Sequence, residues 1–155
     1  MLNSSSKEKE AERLYNYYLK KKVYPLIGDK TTYLSQLLGA GKKLLGVKFK
    51  GVFPSDKIPK LNDLAPYSII NLDRSDQPGS HWISLAKIGD NTIVYDSFGR
   101  DYKKIIPSLK FSGNERIKNT DRDPEQRIEQ TDCGARCLSW IMVLDKHGED
   151  LAMKI

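Results

Sequence analysis

The sequence predicts an α+β domain on three observations. An amphipathic helical stretch opens the chain, four strand patterns follow between residues 47 and 98, and the last segment is apolar on every side. A sheet flanked by helices is the layer arrangement that buries all of these faces. The 155 residues suit one domain with a sizeable core, here expected over 1–155, with an N-terminal helix in 1–25 and a functional core in 44–147. Hydrophobic residues make up 39% and charged residues 30%, which excludes a disordered chain.

Residues 7–22 carry Ala11, Leu14, Tyr15, Tyr18 and Leu19 on one helical face. Ser5 and Glu8 have capping-box spacing, and Pro25 is expected to end the element. A weaker helix is expected from about Thr32 to Leu38, with Gly39 and Gly41 interrupting it. VKFKGVF, from Val47, then alternates apolar and polar residues as a half-buried strand does. After a loop punctuated by Pro54, Pro59 and Pro66 come YSIINLD, HWISLAKI and NTIVYDSF as three further strands. Residues 101–123 are polar and are expected to form a short helix plus loop. The final DCGARCLSWIMVLDKHG leaves almost no polar face, as in a buried central helix.

No stretch approaches the roughly 18 apolar residues of a membrane span, and MLNSSSKEKE lacks the apolar core of a secretory signal. An intracellular or particle-packaged protein, without membrane association, is therefore expected. Two cysteines four apart agree with a reducing compartment and free thiols. The formal net charge is +6, carried by lysines at 20–22, 42–43 and 103–104 among others. Such lysines form a solvated surface first and attract nucleic acid non-specifically second.

Cys133 is the residue that suggests chemistry. Thr131 and Asp132 are good N-cap types, so Cys133 falls in the first turn of the buried helix, where free N–H groups and the macrodipole favour an anion. Gly134 beside it leaves the backbone open to a substrate. Cys137, one turn further inside an apolar helix, reads as a core residue. A thiolate nucleophile needs a base, and the chain has two histidines. His147 lies fourteen residues along the same helix, roughly 21 Å from Cys133, and reads as a helix C-terminal residue before Gly148. His81 remains, opening a strand after the turn-rich DRSDQPGS.

Hairpin register selects the acid. A two-residue turn at Gly89-Asp90 pairs Ile88 with Asn91 and sets His81 opposite Phe98. Asp96 is then the diagonal neighbour of His81 on the same face, within reach of an imidazole. A turn at Asp90-Asn91 would instead place Arg100 opposite His81 and carry the carboxylate away. Asp96 would fix the tautomer of His81, His81 would take the thiol proton, and Cys133 would attack a carbonyl. The Cys133 N–H is one oxyanion donor, and Gln126 or Gln130 is another; spacing does not decide between them.

The strings IINLDRSDQPGSHWISLA, VYDSFGRD and QRIEQTDCGARC resemble the adenovirus maturation cysteine protease (adenain) family. More remotely they are similar to the ubiquitin-like-protein-specific proteases. The resemblance covers residues 44 to 147 and includes His81-Trp82, an acid followed by Phe98-Gly99, and a glutamine seven residues before a Cys-Gly nucleophile. It implies a circularly rearranged papain-like α+β fold, with a central mixed sheet packed against the nucleophile helix. It points to Gln126 as the oxyanion donor and to Trp82 and Gly134 as residues bordering substrate. It also implies endopeptidase processing of capsid and virion precursor polypeptides, in the virion and the infected host cell, for a small adenovirus-like DNA virus or virophage. Adenain is stimulated by viral DNA and by a disulfide-bound peptide. Both cysteines here lie in the nucleophile helix and leave none for such a bond, whereas stimulation by DNA fits the positive charge. The acid is Asp, as in the ubiquitin-like-specific branch, rather than adenain's Glu. No metal or required cofactor and a monomer are expected. The competing readings are a deubiquitinase or deSUMOylase with the same triad, and a basic nucleic-acid-binding module with a structural cysteine.

Overall fold

In the computed structural model, which describes residues 4–73, 81–106, 116–121, 123–127 and 130–155, the N-terminal apolar stripe becomes helix α1 (Ser4–Tyr18). Ser5 lies inside this helix rather than at its cap, so the expected capping box is not formed. The chain also stays helical past Pro25. A π-turn (Leu19–Val23), closed by the Tyr24 N–H on the Leu19 carbonyl, leads into the short α2 (Tyr24–Ile27). Pro25 sits in the first turn of α2, directly after this π-turn, and the wider turn accommodates a residue that has no N–H to give to the helical ladder.

Helix α3 (Leu34–Leu45) runs through both glycines expected to break it. Gly41 is there because the Phe49 ring fills the place of its side chain; tertiary packing overrides propensity. A 3-10 turn (Gly46–Lys48) takes up the first residues of the VKFKGVF pattern, and strand β1 (Phe49–Pro54) follows. Next come α4 (Leu61–Leu64), β2 (Tyr67–Asn71), β3 (Trp82–Ile88), β4 (Asn91–Tyr95) and α5 (Tyr102–Ile105). Beyond α5, strand β5 (Arg116–Asn119) lies where only loop was expected. Its RIKN sequence carries one apolar residue, because an edge strand half open to solvent needs no more. The remainder of the expected 101–123 loop, residues 107–115 and 122, and residues 74–80 of the turn-rich stretch before His81 lie outside the described residues.

The five strands form one mixed sheet in the order β1-β2-β3-β4-β5, parallel at both outer pairs and antiparallel within. Both faces are covered, so β2 is buried at every position rather than alternating with solvent. Ile70, Ile83, Leu85 and Val94 form the smaller core with Leu64 and Ile106. Tyr67, Ile69, Trp82, Ala86, Ile93 and Tyr95 face the larger core. That core is built around α6 (Cys133–His147), in which every residue from Cys133 to Leu144 is buried. The Ser84 hydroxyl on the Cys137 carbonyl (2.9 Å) ties α6 to β3, and the Ser139 hydroxyl on the Tyr15 carbonyl (2.5 Å) ties it to α1. The terminal α7 (Glu149–Ala152) closes the far end, where the Trp140 indole N–H donates to the Ala152 carbonyl (3.0 Å).

The two glycines of α3 give opposite expectations. An alanine Cβ at Gly39 meets nothing, whereas one at Gly41 overlaps Phe49. Gly39→Ala should raise stability by about 0.5–1 kcal/mol, and Gly41→Ala should lower it by roughly 1–3 kcal/mol. Thermal melts shifting in the same direction for both would contradict this packing.

Candidate active site

The Gly89-Asp90 turn forms as the register requires, with Gly89 at a φ of 58° and Ile88 paired with Asn91. The same register holds to Ser84 opposite Tyr95, where the ladder ends. Past that point the two strand ends carry His81 and Asp96 together, His81 Nε2 lying 2.5 Å from Asp96 Oδ1. The His81 ring stacks on Phe98, the residue opposite it by register, with centroids 4.8 Å apart.

Asp96 begins a tight turn, closed by the Gly99 N–H on its carbonyl (2.8 Å). Its carboxylate accepts four hydrogen bonds. Oδ1 takes His81 Nε2 and the Phe98 N–H (3.2 Å), and Oδ2 takes the Arg100 N–H (3.2 Å) and Nε (2.7 Å). Burial pushes this acid upward, but the bonds and charges of His81 and Arg100 prevail and hold it down to about 2. Burial likewise works against the imidazolium of His81, yet donation to the Asp96 carboxylate and the influence of Cys133 outweigh it and raise His81 above its ordinary value. A carboxylate can only accept, so the proton sits on Nε2 and the other ring nitrogen is left for the thiol.

Cys133 is the first residue of α6 and is 5% exposed, against 0% for Cys137; both thiols are free. Burial drives the Cys137 thiol well above its ordinary value, which makes it an inert core residue. His147 ends α6, at the opposite end of the helix from Cys133, and accepts or donates at 2.7 Å with the Tyr18 hydroxyl. Sequence spacing therefore separates the two cysteines and the two histidines as the structure does.

The two glutamines also part company. Gln126 is buried: its Oε1 accepts from the Ser97 hydroxyl (2.6 Å), and its Nε2 donates to the Gln130 carbonyl (2.6 Å). Its backbone N–H bonds the Ser97 carbonyl (3.1 Å), which fixes it beside Asp96 in the chain. One of its two amide hydrogens remains for another acceptor. The Gln130 side chain instead turns to the Arg127 N–H (2.7 Å). Trp82 is a buried β3 residue facing the α6 layer. The space that a side chain at Gly134 would fill is occupied by Thr32 and Leu37, so this glycine serves the packing of the α3 region onto α6.

Sequence reading gave no role to Ser97, which bonds Gln126, to Arg100, which bonds Asp96, or to Arg136 and Tyr24, which bond Asp132, and it named Phe98 only by register and resemblance. The D-S-F-G-R string is a turn whose leading aspartate bonds the backbone two residues on, a recognisable signal for Phe98 and Arg100. Among the described residues no group of three His, Cys, Asp or Glu side chains could hold a metal ion, and no helix is long and apolar enough to cross a membrane. No protein-family model and no curated protein matches this chain.

The lowered pKa of Asp96 sets a pH window. Its folded value of about 2 lies below the ordinary value of 3.8, so its stabilisation is present above that ordinary value and disappears as pH falls toward 2. Urea titrations should show wild type losing on the order of 2 kcal/mol across this window that Asp96→Asn does not lose. Parallel pH profiles for the two proteins would contradict the charged pairing.

Proposed function

We propose that this chain is a cysteine peptidase using Cys133 as nucleophile, His81 as base and Asp96 as the orienting acid. The observation that carries the reading is the buried His81–Asp96 hydrogen bond, with Cys133, in the first turn of an enclosed helix, among the groups that raise the same imidazole. Asp96 has no proton to give and is saturated by four donors, so it acts by fixing the tautomer and stabilising the imidazolium. His81 takes the thiol proton as Cys133 attacks the carbonyl, then passes it to the leaving amine. The oxyanion meets the Cys133 N–H and the remaining Gln126 amide hydrogen; Gln130 is directed elsewhere. An elevated histidine basicity suits proton abstraction near neutral pH.

On the sequence resemblance to the adenain family, we place this chemistry on a papain-like core and assign virion precursor polypeptides as the substrates, cleaved during maturation in the virion and infected cell. The lysine-rich surface makes stimulation by DNA part of the same proposal. One observation favours a second reading. The orienting acid is Asp rather than Glu, as in proteases that remove ubiquitin-like proteins, so an isopeptidase is the alternative.

Cys133→Ala should abolish cleavage of a capsid-precursor polypeptide while the protein stays folded. Asp96→Asn should lower the maximal rate by about 10²–10⁴, and Gln126→Ala by roughly 10²–10³. Mass-spectrometric mapping of cleavage products separates the readings. Release of a ubiquitin-type fluorogenic tag with the capsid precursor left intact would transfer the assignment to the isopeptidase. Undiminished cleavage by Cys133→Ala would end both.

A further inference from the structure

Asp132 occupies the N-cap of α6 and yet caps nothing. An aspartate there ordinarily accepts from the backbone N–H groups two or three residues on. Here Oδ1 takes Arg136 Nε at 2.9 Å and Oδ2 takes the Tyr24 hydroxyl at 2.5 Å. The first helical bond of α6 runs from the Arg136 N–H to the Asp132 carbonyl at 3.0 Å, so the N–H groups of Cys133, Gly134 and Ala135 precede the ladder. Arg136 is buried and reaches on to the Tyr15 hydroxyl (3.4 Å), which bonds Tyr95 (2.7 Å), whose hydroxyl donates to Glu125 (3.1 Å). Against Gly134, the Thr32 hydroxyl is buried with no hydrogen-bond partner among the described residues.

We propose that Tyr24 and Arg136 are positioning residues that latch the Asp132 carboxylate away from the first turn of α6, keeping its N–H groups open for the negative charge that develops at Cys133. That charge is the thiolate before attack and the oxyanion after it, and both need the same donors. A carboxylate released from the latch would swing into its ordinary capping position. There it would satisfy those donors itself and set a like charge beside the thiolate. The helix would gain its cap while the chemistry lost its site. The inference rests on the cysteine-peptidase reading, and it assigns the N-terminal helical segment, which supplies Tyr15 and Tyr24, a part in competence.

The test is a double-mutant cycle read by alkylation of Cys133 with iodoacetamide across pH, which needs no knowledge of the substrate. Among the described residues the titratable and charged groups around this turn include His81 and Asp96 from the sheet, Tyr24, Asp29 and Tyr15 from the N-terminal segment, Glu125, Cys137, and Arg136 and Asp132 themselves; the cycle leaves His81 and Asp96 unaltered. Tyr24→Phe keeps the ring and removes only the hydroxyl. It should slow alkylation at neutral pH about ten-fold and move its pH midpoint upward, with no fall in Tm. In an Asp132→Ala background the same substitution should change the rate by less than about two-fold, because no carboxylate remains to restrain. Arg136→Lys, which keeps the charge and loses the fork, should behave like Tyr24→Phe. Equal losses in both backgrounds, or no loss in wild type, would overturn the latch. If wild-type Cys133 reacts no faster than a thiol in the unfolded chain, the peptidase reading falls and the latch with it. A fast wild-type thiol with an additive cycle removes the latch alone.

Discussion

The constraint from which the structure follows is that α6 is apolar all round and must be enclosed on every side. Twelve consecutive positions, Cys133 to Leu144, are buried. One sheet cannot cover such a helix, so α1, α3 and α7 complete the enclosure, and Ser84, Ser139 and Trp140 each anchor a backbone carbonyl at a different contact. The helix start is thereby fixed against the ends of β3 and β4. A nucleophile placed there inherits both the free N–H groups of the first turn and the histidine of the neighbouring strand end.

Enclosure has an electrostatic consequence. Asp96, His81, Asp132 and Arg136 are all buried, and a buried charge without a partner costs several kcal/mol. Each has one: His81 and Arg100 on Asp96, Tyr24 and Arg136 on Asp132. Glu125 makes no ion pair among the described residues, although Arg136 acts on it from a distance. Its hydrogen-bonding partner is a tyrosine, and burial pushes its carboxyl up to about 8, so it is largely neutral at pH 7. Two buried carboxyl groups are thus driven in opposite directions, Asp96 down by its donors and Glu125 up by burial.

The fold and the clustering of His81, Asp96 and Cys133 were legible to different degrees, for physical reasons. Period-two patterns and a two-residue turn determine register, so the His81–Asp96 pairing follows from counting along HWISLAKIGDNTIVYD. Helical rise separates Cys133 from His147 in the same way. What escaped were features decided by packing across long sequence separations. Gly41 is tolerated in α3 only because Phe49 needs its space, and Pro25 is accommodated by a π-turn that local propensity does not announce. Strand β5 has too few apolar residues to register as a strand, and Arg100 and Arg136 read as ordinary surface charges until the carboxylates they hold are located.

The hairpin also acts as a ruler. Side chains alternate faces at every residue, so the length of the Gly89-Asp90 loop decides which side of the sheet Asp96 presents to His81. The turn lies seven residues from His81, about 23 Å along an extended strand. A single insertion or deletion at that distant tip would re-index the strand and separate His81 from Asp96 without altering either residue. The tip of this hairpin, where the Asp90 carbonyl accepts from the Arg116 N–H, is bound to a fixed length by arithmetic as well as by contact.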